Sequence, residues 1–183
     1  MKRTIAGFVA AGLLTVALAA PASAQARGYV GFGGGVSIPT GNFGDAYKTG
    51  WLGQVIAGIT GPSGMLGGRI DGMYVRHSVD GVADASTQLL GANADLVVSP
   101  GSAAAKVRPY LLGGVGFFNS KSEVGDVEGE GVTDFSFNLG GGLSLKAGNK
   151  MSVFLEARYI SVQSDPSSTG FIPISIGLRF GGN

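Results

Sequence analysis

Residues Phe135 to Lys146 alternate without a break. Phe135, Phe137, Leu139, Gly141, Leu143 and Leu145 hold one parity, and Ser136, Asn138, Gly140, Gly142, Ser144 and Lys146 hold the other. Only an extended strand sorts such a run into two faces, because successive side chains on a strand point to opposite sides. A helix would smear these residues around its circumference, and the glycines would weaken it.

The pattern recurs along the chain. Ile172, Ile174, Ile176, Leu178 and Phe180 oppose Ser175, Gly177 and Arg179, with a local break expected at Pro173, which has no N–H to donate. Val153, Leu155, Ala157 and Tyr159 oppose Glu156 and Arg158. Leu66, Gly68, Ile70, Gly72 and Tyr74 oppose Arg69, Asp71 and His77, while Leu90, Ala92, Ala94, Leu96 and Val98 oppose Asn93 and Asp95. Tyr29–Ile38, Gly50–Thr60 and Arg108–Phe118 read as strands of weaker alternation. That makes eight.

Eight such strands need a setting for their apolar faces. The chain is 44% hydrophobic and 14% charged, with mean hydropathy +0.30, which is greasy for a soluble β protein. Beyond residue 20 there is no apolar run of the length a membrane helix requires. The remaining architecture able to cross a bilayer is a closed barrel, in which every backbone polar group bonds to a neighbouring strand. The expected fold is therefore all-β, an eight-stranded antiparallel up-and-down transmembrane β-barrel.

The first 24 residues stand apart. Lys2 and Arg3 precede an apolar run from Ile5 to Ala20, and Pro21-Ala22-Ser23-Ala24 ends in a small-x-small pattern. This reads as a cleaved signal peptide over residues 1–24, leaving 25–183 as a single outer-membrane domain. The chain has no cysteine, which removes disulfides, thiolate nucleophiles and Cys-based metal sites. It also has no basic run, so no nucleic-acid footprint is expected.

The connections alternate in length. Gly61–Met65, Pro100–Val107 and Ala147–Met151 are short, whereas Pro39–Thr49, Ser78–Ser86, Asn119–Thr133 and Ser161–Thr169 are longer and polar. Short periplasmic turns and long outer loops give this rhythm, with both termini on the periplasmic side. Two aromatic belts are expected: Trp51, Phe117, Phe135, Tyr159 and Phe171 at the outer ends, and Tyr29, Tyr110, Phe154 and Phe180 at the inner ends.

Arg108-Pro109-Tyr110-Leu111-Leu112-Gly113-Gly114-Val115-Gly116-Phe117 resembles the central strand of the small outer-membrane β-barrel domain family, relatives of OmpA/OmpX-type and opacity-type proteins. Phe154-Leu155-Glu156-Ala157-Arg158-Tyr159 is similar to that family's penultimate strand. Gly177, Leu178 and Phe180 resemble the terminal signal that the barrel assembly machinery reads, although Gly181-Gly182-Asn183 follow the Phe that usually ends the chain. The resemblance spans residues 28–180. It implies residence in the outer membrane among lipid and lipopolysaccharide, and contact with the assembly machinery and periplasmic chaperones during biogenesis. It also implies a monomer with no cofactor.

A barrel of this strand number is just wide enough to hold its own side chains. The inward parity includes Arg69, Asp71, Asn93, Asp95, Lys146, Glu156, Arg158 and Arg179, and its charges should pair, because an unpaired buried charge is costly. Glu156 is expected to take Arg179 or Arg158, and Asp71 or Asp95 to take Arg69. Inward glycines (31, 33, 35, 114, 116, 140 and 142) would make room for long charged side chains.

Other motifs carry little. Gly31-Phe32-Gly33-Gly34-Gly35-Val36 lacks the third glycine and the helix of a dinucleotide fingerprint. Glu123, Asp126, Glu128 and Glu130 make the third outer loop acidic, but their spacing matches no calcium loop. His77, the only histidine, falls at the outer rim beside Ser78 and Asp80, where it would bond to solvent or a loop carboxylate. Adjacent strand residues point to opposite faces, so His77 and Ser78 make a poor dyad.

The expected function is a non-enzymatic outer-membrane protein with a filled lumen, anchoring four outer loops for envelope structure, surface interaction or adhesion. The alternatives are a narrow pore for small solutes, a lipid A-modifying barrel enzyme, and a soluble periplasmic lipocalin-type binder. The last would have to bury the charges against its apolar ligand.

Overall fold

The computed structural model describes residues 26–81, 85–102, 104–124, 127–164 and 167–181. The expected signal peptide, residues 1–24, lies outside the described residues. Eight strands carry the fold: β1 (Arg27–Thr40), β2 (Gly50–Thr60), β3 (Leu66–Ser78), β4 (Ala85–Val98), β5 (Val107–Val124), β6 (Val132–Lys146), β7 (Met151–Ser164) and β8 (Ser167–Gly181). Each pairs antiparallel with the next, and β8 returns to β1 in a register running from Tyr29↔Gly181 to Thr40↔Gly170. The sheet is therefore a closed up-and-down barrel without free edges.

The two parities face opposite media. Leu139 is 70% exposed and its neighbour Asn138 6%, so the apolar set points outward and the polar set into the lumen. Val30, Val55, Leu90, Leu96, Leu111 and Ile176 continue the outward apolar surface around the barrel. Such a surface is stable in hydrocarbon and would aggregate in water. Among the described residues, no helix is long and apolar enough to cross a membrane. The break expected at Pro173 is present: the β7–β8 ladder skips from Ala157↔Ile174 to Ile160↔Phe171.

Three expectations are corrected. The fourth outer connection is far shorter than Ser161–Thr169, because β7 runs to Ser164 and β8 starts at Ser167. The third shrinks as β5 and β6 continue as a hairpin, and Val127–Glu128 pairs back onto Glu123–Val124. Polar residues there form a ladder because pairing satisfies the backbone even where no core is available. The first outer connection contains a short helix, α1 (Asn42–Ala46), which the sequence reading leaves as loop.

The belts are also thinner than expected. Trp51, Phe117 and Tyr159 are exposed at the outer ends, and Trp51 packs against Tyr74 at 5.2 Å. Phe180 pairs with Phe32 at the inner end. Phe171, Phe154, Tyr29 and Tyr110 instead lie buried in the lumen. The strand parity, rather than proximity to a headgroup layer, decides which way these rings point.

Candidate functional site

The lumen is built in layers. At mid-depth, Arg69 of β3 donates to Glu156 through Nη1 (2.6 Å) and Nη2 (3.2 Å), to Asp71 (3.2 Å), and to Asp95 through Nη2 (3.1 Å) and Nε (3.3 Å). Arg158 of β7 donates to Asp71 (2.8 Å) and Asp95 (3.3 Å), and its Nε lies 3.2 Å from Glu156. All five side chains are essentially inaccessible to solvent. Neutral groups complete the cluster: Asn93 donates to Asp71 (2.9 Å), Asn138 to Asp95 (2.8 Å) and Tyr110 to Glu156 (2.7 Å). Gln54 accepts from Arg158 (3.1 Å) and donates to Ser175 (2.8 Å), tying the cluster to β2 and β8.

Glycine on the neighbouring strands permits these reaches. Asp95 of β4 and Asn138 of β6 both neighbour Gly114 of β5, and a Cβ on Gly114 would collide with the Asp95 carboxylate. Tyr110 of β5 likewise reaches Glu156 of β7 over Gly142 of β6, where a Cβ would meet the Tyr110 hydroxyl. Of the remaining inward glycines, Gly116 adjoins the Asn93 amide and Gly140 the Arg158 side chain, both members of the cluster. Gly33 instead faces the Phe154 ring and Gly35 only neighbouring backbone, so making room for charges accounts for part of the set.

Arg179 does not join the ion pairs. Its guanidinium lies over the rings of Tyr29 (4.9 Å), Tyr110 (5.0 Å) and Phe154 (5.2 Å), an aromatic box on the side of the cluster toward the β2–β3 turn. Of the two partners expected for Glu156, Arg158 is present and Arg179 is not. Arg69 pairs with Asp71 and Asp95 as expected and reaches Glu156 as well. Arg69 serves all three carboxylates because its forked, five-donor head can address several acceptors at once. Lys146, at the end of β6, is half-buried near the periplasmic mouth, away from these ion pairs. Gly177, Leu178 and Phe180 lie in β8, with Leu178 and Phe180 on the outward parity and Gly177 against Phe154.

Above the ionic layer the lumen becomes apolar. Leu52, Met73, Val75, Leu89, Phe118, Ile160, Val162 and Phe171 form one buried cluster. Helix α1 lays Phe43 against it from outside. The helix is held in place by the second outer connection: Asp80 N–H donates to the Ala46 carbonyl (2.9 Å), and Lys48 N–H donates to Ser78 (2.9 Å). The Lys48 ammonium pairs with Asp80 at 3.0 Å and holds that carboxyl below the usual aspartate range.

His77 is fully buried, not solvated. Its Nδ1 lies 3.0 Å from the Lys48 carbonyl, which can only accept, so Nδ1 carries the proton and Nε2 accepts from the Ser37 hydroxyl at 3.2 Å. Phe43 and Phe171 pack edge-on to the imidazole. The pair has the hydrogen bond of a serine nucleophile and its base, but Ser37 and His77 are both 0% exposed, so no acyl group can reach the oxygen. Ser78 is exposed on the opposite parity. In the acidic hairpin, Glu123 is engaged by Arg76 (3.3 Å), Ser86 and Gln88. No group of three or more His, Asp or Glu able to hold a metal occurs among the described residues.

The sequence matches the outer membrane protein beta-barrel domain over residues 6–180, nearly the whole chain. The chain belongs to that family. Among curated proteins, none matches. Solved barrels of the same shape include Neisserial surface protein A (15% identity, TM-score 0.68, covering 84% of this chain and 96% of that one). The attachment invasion locus protein Ail of Yersinia pestis follows (17%, TM-score 0.55, 85% and 99%). A major outer membrane protein of Thermus thermophilus also shares the fold (13%, TM-score 0.57, 85% and 98%). Membership in the outer-membrane barrel family places the chain in the outer membrane, among barrels that are mostly non-enzymatic.

Residues that the sequence reading misses are Gln54, Tyr110 as a Glu156 ligand, and Ser37. Gln54 sits in a strand whose two parities are both apolar (Trp51, Val55 and Ile59 outward; Leu52 and Ile56 inward), so periodicity cannot reveal its direction. Its polarity within that run is the one signal available.

Proposed function

We propose that this is a non-enzymatic barrel with a side-chain-filled lumen, which passes no solute, and that its working surface is the set of four outer loops. The observation that supports this is the double closure of the lumen, by a hydrogen-bonded ionic layer and by an apolar cluster under Phe43. Hydrated solutes would have to strip their water to pass the apolar layer and break buried ion pairs below it. Export through a cleaved signal peptide at residues 1–24 completes the reading.

The loops have a definite charge. Asp45, Asp80, Asp84 and Asp165 lie in or beside the first, second and fourth connections, and the third carries Glu123, Asp126, Glu128, Glu130 and Asp134. Only Lys48, Arg76 and Lys121 oppose them. One solved structure of Ail holds the heparin analogue sucrose octasulfate. The surface here has the opposite preference: it would repel a polysulfate and attract a basic peptide or protein segment.

The test uses cells displaying the protein, so that only the outer face is presented. Binding of a fluorescent lysine-rich peptide should exceed that of cells displaying Asp126→Asn/Glu128→Gln/Glu130→Gln, and should fade with added salt. Equal binding by the two strains, or binding of sucrose octasulfate in preference to the peptide, would overturn the reading.

A further inference from the structure

The periplasmic end has the opposite charge and a built cavity. In the sequence, the three inner connections and the flanking strand ends carry Arg27, Lys106, Arg108, Lys146, Lys150 and Arg179, with no Asp or Glu among them. Three of these cations line a cavity of about 40 Å³ inside the mouth, together with Ser144, Ser152 and Tyr110.

Strand register makes this layer a ring. Arg108 of β5 stands opposite Ser144 of β6, Lys146 of β6 opposite Ser152 of β7, and Ser152 opposite Arg179 of β8. Cations and hydroxyls therefore alternate around one arc of the mouth, all on the inward parity. The turn between β2 and β3 closes the other side, where the Gly64 carbonyl accepts from Arg108 Nη2 at 2.6 Å. Two donors in the ring stay unmatched: the Nε atoms of Arg108 and Arg179 are buried and have no hydrogen-bond partner among the described residues. The carboxylates nearest in the lumen are committed to Arg69 and Arg158. Arg108 also feels the positive charge of Arg179 and Arg27.

Like-charged guanidiniums with idle donors around a small enclosed space are unfavourable without an anion. We infer that the periplasmic mouth is a binding site for a phosphate-type oxyanion, held by Arg108, Arg179 and Lys146 with the hydroxyls of Ser144 and Ser152. The volume suits one tetrahedral group, since a single water needs only about 10–15 Å³ by the same measure. Planar guanidinium heads match phosphate oxygens, and hydroxyls satisfy whichever oxygens remain. At the end of a membrane barrel, the oxyanion is either a phospholipid phosphate or free phosphate. The site lies at the end of the barrel away from the outer loops and stands independently of their function.

The experiment follows the Nε–H resonances of Arg108 and Arg179 by NMR in the full barrel in phosphate-free detergent micelles. One arm adds inorganic phosphate to the barrel in phosphate-free dodecyl maltoside micelles; the other adds phosphatidylglycerol to the same micelles with no phosphate in the buffer. Sodium chloride at matched ionic strength is the control. A saturable shift of both resonances is expected in at least one arm, weakened about tenfold or more in Arg108→Gln and in Lys146→Gln. The lysine variant keeps the test open should Arg108→Gln fail to fold, because it spares the Gly64 contact. Response only to phosphatidylglycerol identifies a lipid headgroup, and response to inorganic phosphate identifies the free ion as sufficient. Resonances that do not move, or that move equally with chloride, would overturn the site.

Discussion

Replacing Glu156 by Gln tests the ionic layer at its most connected point. Glu156 accepts both Nη groups of Arg69 and the Tyr110 hydroxyl, and lies 3.2 Å from Arg158 Nε. Glutamine keeps the volume and one acceptor oxygen, but it turns an NH2 group toward guanidinium donors. It also leaves Arg69 and Arg158 with two carboxylates instead of three. Removing one partner of a buried pair typically costs about 3–5 kcal/mol, and the retained oxygen puts Glu156→Gln near the lower end, about 3 kcal/mol. Arg69→Met should cost at least as much, since it leaves three carboxylates with Arg158 as their one cation. In the double variant the penalties overlap, and a coupling energy of about 1–3 kcal/mol is expected. Pairing Glu156→Gln with Arg179→Met should give a much smaller coupling, because Arg179 is held by rings and touches no carboxylate among the described residues. The assay is urea unfolding in lipid vesicles, followed by the fluorescence of Trp51, the only tryptophan, and by the mobility of unboiled samples on gels. A Glu156–Arg179 coupling as large as the Glu156–Arg69 one would refute the geometry described here.

Three further outcomes follow from the same arrangement. Leu139→Arg, on the lipid side, should destabilise the barrel by about 2–4 kcal/mol in vesicle unfolding, whereas Ser136→Ala should be neutral or stabilising because the Ser136 hydroxyl is buried without a partner; equal effects would contradict the assigned facing. Planar-bilayer recordings should show no steady porin-like conductance, and a sustained open channel would break the double-closure argument. Asp80 should titrate below an ordinary aspartate while Lys48 is present and return toward it in Lys48→Met, as read by carbon-detected NMR. The Lys48–Asp80 contribution to loop order should then be present at neutral pH and lost as pH falls through that depressed value; unchanged titration in Lys48→Met would exclude the pair as its cause.

Strand number, closure, facing and the membrane setting were legible in the sequence because period-two alternation is a local property: the parity of Leu139 or Glu156 follows from its neighbours alone. Where both parities are apolar, as around Gln54, the same reasoning is silent. The pairing of Arg69 with Asp71 or Asp95 was legible from neighbouring strands; that Arg69 also reaches Glu156 was decided only by the tertiary structure. Arg69 and Glu156 are 87 residues apart, and they meet through curvature and register that set which side chains share a depth in the lumen. Sequence reasoning left Arg179 and Arg158 both open for Glu156. It could not see that Gly142 lets Tyr110 reach Glu156 from two strands away, or that three rings enclose Arg179 instead. The same limit applies to His77. Its place on the third strand was readable, but its burial depends on Ser37 from the first strand and on the Lys48 carbonyl and Phe43 from a connection that folds back over the mouth. Local sequence determines the face on which a side chain lies. Its partners come from the closed barrel, because contacts across a lumen depend on every strand's register at once.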